Sequence, residues 1–105
     1  MGQVWQLYRG QELLAEITVD RTDMPWLIGG IATRPGFEAI RPAFEREVAI
    51  VDAEGDLDYE AWQEAYEPIS RLTLVSPAGP AADFLLHVRG EEAWFRWSDE
   101  PLDDQ

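Results

Sequence analysis

Apolar and polar positions alternate at the start of the chain. Residues 3–8 (QVWQLY) read as a strand, and Arg9-Gly10-Gln11-Glu12 as a turn. From 13 to 19, Leu13, Ala15, Ile17 and Val19 point one way and Leu14, Glu16 and Thr18 the other. That period of two predicts a half-buried strand and an N-terminal hairpin. Residues 20–35 (DRTDMPWLIGGIATRP) hold no sustained period. Their two prolines and the Gly29-Gly30 pair predict a long loop, anchored on the core through Met24, Trp26, Leu27 and Ile28. The period then changes. Phe37, Ile40, Phe44, Val48 and Val51 recur at three- and four-residue steps, one face of a helix. Pro42 is tolerated only in a first turn, so the helix is expected to start near Arg41. Asp56 or Asp58 then caps a second helix, with Trp62, Ala65, Tyr66 and Ile69 on its apolar stripe and Pro68 stopping it after Glu67. The last third alternates again: Leu72 and Leu74, then Phe84, Leu86 and Val88, then Ala93, Phe95 and Trp97.

The expected class is α+β, with about five antiparallel strands in the order β-β-α-α-β-β-β and two helices on one sheet face. One face would take Leu13, Ala15, Ile17, Phe84, Leu86, Val88, Phe95 and Trp97. The other would carry Arg71, Thr73, Leu85, His87, Trp94 and Arg96, a mixed set. At 105 residues the chain is read as one domain, 1–105, with 99–105 an acidic tail.

Composition narrows the function classes. The net charge is −13, and all eight strongly basic side chains are arginine. Such a chain repels phosphate backbones and anionic lipid, so no nucleic-acid and no membrane partner is expected. It attracts a basic protein and speeds the encounter. There is no cysteine, so no disulfide and no thiolate metal site forms. The N-terminal twenty residues lack the apolar core of a secretory signal, and no run approaches the roughly twenty apolar residues of a membrane span. A cytoplasmic protein is expected.

Few motifs carry chemistry. The run from Asp52 to Glu60 alternates acids like a calcium loop, but the sixth and twelfth positions hold Leu57 and Gln63 where that loop needs Gly and Glu. It reads as a solvated interhelix loop. His87 is the only histidine and forms no metal site alone. Ser70, Ser76 and Ser98 lie in no nucleophile elbow, and Gly29-Gly30 lacks the lysine and spacing of a phosphate loop. No catalytic set, cofactor or metal is expected. Five tryptophans in a chain this short are the stronger signal, because Trp and Tyr dominate binding hot spots. Trp5 and Trp97 are expected in the core. Trp26, Trp62 and Trp94 are divided between core edge and binding surface, and Trp94 beside Arg96 is the leading hot-spot candidate.

The segments Thr22-Asp23-Met24-Pro25-Trp26, Arg34-Pro35-Gly36-Phe37-Glu38 and Glu92-Ala93-Trp94-Phe95-Arg96-Trp97-Ser98 resemble those of short acidic bacterial proteins from GC-rich genomes. The resemblance spans most of the chain and implies no activity.

The leading expectation is a protein-binding module, inhibitor-like or immunity-like, for a basic partner, with contact residues among Trp26, Trp62, Tyr66, His87, Trp94 and Arg96. One alternative is a small enzyme or ligand binder with His87, Asp23 and Arg96 between the 20–35 loop and the sheet. The other is a self-associating domain, a homodimer through the mixed sheet face.

Overall fold

The N-terminal hairpin forms as its pattern predicts. Strand β1 (Gln3–Arg9) pairs with β2 (Glu12–Asp23) through a tight turn at Gly10, whose φ of 60° suits glycine. Trp5 faces Ile17 and Leu7 faces Ala15. A bulge beside Leu7 and Tyr8 then adds one residue to β2. It reverses the alternation, so Leu14 is fully buried and Leu13 only half-buried, the opposite of the expected face. The computed structural model describes residues 2–53 and 55–98, and the expected acidic tail, 99–105, lies outside the described residues.

The segment 20–35 is the main departure from expectation. Strand β2 continues to Asp23, the chain turns at a cis Met24–Pro25 bond, and β3 (Trp26–Thr33) returns along β2. A second bulge between Val19 and Arg21 hides the period of two. The glycine pair lies inside β3, not in a loop. A Cβ at Gly29 would stand 1.9 Å from the Thr18 carbonyl oxygen, so glycine is what permits the strands to approach.

After β3, a 3-10 turn (Pro35–Ala39) turns Phe37 inward, where it stacks on Phe44 at 5.5 Å. Helix α1 (Arg41–Asp52) carries Pro42 in its first turn and buries Phe44, Glu47 and Val48, while Val51, expected on that stripe, is exposed at its end. Helix α2 (Tyr59–Ser70) starts at Asp58, whose side chain accepts the Ala61 N–H at 3.1 Å. It passes Pro68 and ends at Ser70, three residues beyond the expected stop. Proline there removes one helical N–H, and the fully buried Ile69 holds the last turn in place.

Strands β4 (Thr73–Ser76), β5 (Gly79–Pro80), β6 (Asp83–Arg89) and β7 (Glu92–Ser98) complete an antiparallel sheet in the order β5-β4-β1-β2-β3-β7-β6. The α+β class holds. The sheet has seven strands where five were expected, because β3 and the two-residue β5 are absent from the simple pattern. Arg71, expected on the mixed sheet face, instead caps the end of α2.

The sheet curls. Two strands separate β1 from β7, which in a flat sheet places them about 14 Å apart. Yet the Trp5 ring lies 4.9 Å from Phe95 and 5.3 Å from Trp97. The concave side therefore closes on itself around Trp5, Leu7, Ile17, Leu74, Leu86 and Phe95, all buried. Trp97 sits at the rim and is 39% exposed, so it is not the core residue expected. Both helices pack together and against the edge strand β6. Tyr66 serves that edge: its hydroxyl donates to the Phe84 carbonyl at 3.1 Å and accepts the Leu86 N–H at 3.0 Å. No helix among the described residues is long and apolar enough to cross a membrane.

Candidate functional site

The candidate site grows from one charge inside the protein. Glu47 lies on the buried side of α1, between Phe44 and Val48, and is 0% exposed. An isolated carboxylate there would be strongly destabilising, so its oxygens need donors. Oε2 accepts the Trp62 indole N–H at 2.6 Å, and Oε1 lies 2.9 Å from His87 Nδ1. Indole N–H only donates, which fixes the direction of the first bond. One buried carboxylate thus ties α1 to α2 and to β6.

Aromatic rings extend this bracket at both ends. On the sheet side, His87 packs between Trp26 at 5.6 Å and Trp94 at 5.3 Å. Cross-strand register explains it: His87 opposes Trp94, and Trp94 opposes Ile28 two residues from Trp26. On the helix side, Tyr59, Trp62 and Tyr66 recur at three- and four-residue steps and stack, with centroids 5.9 and 5.0 Å apart. Tyr66 is buried, Trp62 half-buried and Tyr59 60% exposed, so the ladder runs from the core into solvent. Burial pushes the Tyr66 hydroxyl above its usual value of 10, and the carboxylates of Glu47 and Asp83 push the same way.

Five of the six residues singled out from sequence therefore form one connected chain: Trp26, His87, Trp94, Trp62 and Tyr66. Arg96 does not join it. It faces outward opposite Leu85 and makes no ion pair or ring contact among the described residues. His87 is 6% exposed, so it is a buried residue with one surface edge and not part of an open mixed face. Asp23, offered as its partner, is exposed at the tip of the β2–β3 hairpin and paired with Trp26 in the ladder. The pocket expected between a 20–35 loop and the sheet loses its loop, since that segment is strand. Glu47 and Tyr59 were missed. Glu47 had a signal, a lone acid one residue before Val48 on the apolar side of a helical repeat.

Charge is unevenly compensated. Arg9, Arg21, Arg34, Arg41, Arg71 and Arg89 each meet a carboxylate. Asp56, Asp58, Glu60 and Glu64, at the start of α2, have no cation within ion-pair distance among the described residues. A cleft of about 300 Å³ flanks the same helix, lined by Trp62, Gln63, Tyr66, Glu67 and Ser70. An open depression of about 230 Å³ lies on the sheet, lined by Arg21, Ile28, Arg89, Glu92 and Trp94. Among the described residues no three carboxylate or imidazole groups converge to hold a metal. Comparison with protein-family models, with curated proteins and with solved structures finds no match to this chain.

Proposed function

We propose that this chain is a protein-binding module, inhibitor-like or immunity-like, that meets a basic partner through the exposed face of α2. The observation that carries the reading is the ladder of Tyr59, Trp62 and Tyr66, which leads from solvent to the core beside Asp56, Asp58, Glu60 and Glu64, carboxylates with no cation within ion-pair distance among the described residues. Rings held in place before contact lose little entropy on binding. Here the Trp62 indole is fixed twice, by stacking and by its bond to Glu47. Leu57, exposed just before the start of α2, adds apolar area. Asp56, Asp58, Glu60 and Glu64 supply the steering field and Tyr59 with Trp62 the anchor, the division of labour of an acidic inhibitor.

The test is capture on the immobilised protein from host lysate at low and high salt, followed by calorimetry on the purified captured protein. The expected result is a basic protein whose affinity falls as salt rises and which loses about 2 kcal/mol of binding with Tyr59→Ala. Affinity that is flat with salt and indifferent to Tyr59→Ala would refute the reading.

A further inference from the structure

The protein seats two of its own arginines on aromatic rings, and both seats have the same parts. The Arg41 guanidinium lies 5.0 Å over Phe37 and forks onto Glu38, Nε to Oε1 at 3.1 Å and Nη2 to Oε2 at 2.8 Å. The Arg89 guanidinium lies 5.2 Å over Trp94 and is paired with Asp52. A ring face and a carboxylate thus hold each guanidinium together. Spacing explains the first seat. On a helical turn a side chain meets those three and four residues before it, and Arg41 follows Glu38 by three and Phe37 by four.

Helix α2 begins with the same two parts in the same order and lacks the third. Tyr59 and Glu60 stand as Phe37 and Glu38 do, and the position of Arg41 is taken by Gln63, an exposed neutral residue. The Tyr59 ring is stacked on Trp62 at 5.9 Å and is otherwise mostly exposed, so one face is fixed and the other is turned to solvent. Among the described residues no arginine lies over that ring. Glu60 has no cation within ion-pair distance among them, and neither has Asp56 or Glu64 nearby.

Resting on the assignment of the α2 face to a basic partner, we propose that the group this face seats is an arginine of the partner. Its guanidinium lies on the outer face of Tyr59 and is held by Glu60, the arrangement that Arg41 makes on Phe37 and Glu38. Arginine fits this seat better than lysine. A planar guanidinium stacks flat on a ring and still forks onto a carboxylate, whereas an ammonium is a compact, strongly hydrated point charge.

The test is calorimetric titration of the full chain with end-blocked hexa-arginine and hexa-lysine, equal in length and charge, at low and high salt. Hexa-arginine is expected to bind about threefold to fivefold tighter, and both affinities to fall as salt rises. Tyr59→Leu, a change at an exposed position, should bring the two peptides to equal affinity, and Tyr59→Phe should keep the preference. Gln63→Arg supplies the missing side chain from the helix itself and should also remove the preference, with the far-ultraviolet dichroism unchanged. Equal affinity of the two peptides for the unmodified chain, or a preference that survives Tyr59→Leu, would overturn the arginine seat. If both affinities still fall with salt, the basic-partner reading outlives that failure. Affinity for both peptides that is flat with salt would overturn the seat and the reading together.

Discussion

Replacing His87 by phenylalanine separates the electrostatic role of the Glu47 bracket from mere packing. Phenylalanine keeps a ring between Trp26 and Trp94 and removes the group that faces Oε1. Glu47, at 0% exposure, is then left with the Trp62 N–H alone. Leaving a buried carboxylate one hydrogen bond short costs about 1.5–3 kcal/mol, the worth of a hydrogen bond to a charged group. A domain of this size has roughly 5–15 kcal/mol in total, so the loss is a large fraction of it. Glu47→Leu acts differently. It orphans two neutral donors, His87 Nδ1 and Trp62 Nε1, at about 1–3 kcal/mol each, less where water reaches the half-buried indole. The double variant Glu47→Leu/His87→Phe replaces both partners with apolar groups and is expected to be more stable than His87→Phe alone, since replacing both partners of a buried hydrogen bond by apolar groups of similar shape is often nearly neutral. Urea unfolding followed by tryptophan fluorescence reads all three, provided the slope with denaturant is unchanged. Two results would refute the reasoning. One is a cost below about 1 kcal/mol for His87→Phe. The other is a double variant whose loss equals the sum of the singles.

Further expectations are accessible by the same unfolding assay. Gly29→Ala should cost about 3 kcal/mol or more, because its Cβ meets the Thr18 carbonyl oxygen, a backbone atom that cannot move without opening the β2–β3 ladder. Asp58→Ala should cost about 1 kcal/mol through loss of the α2 cap, with Asp58→Asn recovering most of it. Tyr66→Phe should cost about 1–3 kcal/mol by leaving the Leu86 N–H and the Phe84 carbonyl on the β6 edge without their partner. The same tyrosine predicts a pH effect. Burial raises its folded value above the unfolded 10, so below pH 10 both states hold the proton and nothing changes. Above pH 10 the unfolded chain releases the proton and the folded one does not, so stability should fall as pH rises. Tyr66→Phe should flatten that part of the profile, and an unchanged slope would show that the hydroxyl is not held neutral by the fold.

How far the chain was legible follows from the range of each physical effect. Alternation, caps and proline placement act within a few residues. They were sufficient for the first hairpin, the start of α1 at Arg41, the Asp58 cap and the C-terminal strands β6 and β7, and so for the α+β class. The long strand pair from Asp20 to Thr33 was not legible. A bulge broke its period, and its two glycines carry the same letters as a loop while serving close strand contact at Gly29. The tryptophans marked themselves as candidates by type, yet which of them are buried depends on the curl of the sheet. That curl encloses Trp5 and leaves Trp97 at the rim. Glu47 makes the point most sharply. Its sequence neighbours predict a helix with an acid on its apolar side, but its partners are 15 and 40 residues away. Local chemistry determines which residues need a partner, and only the packing of α1, α2 and β6 decides which partner arrives.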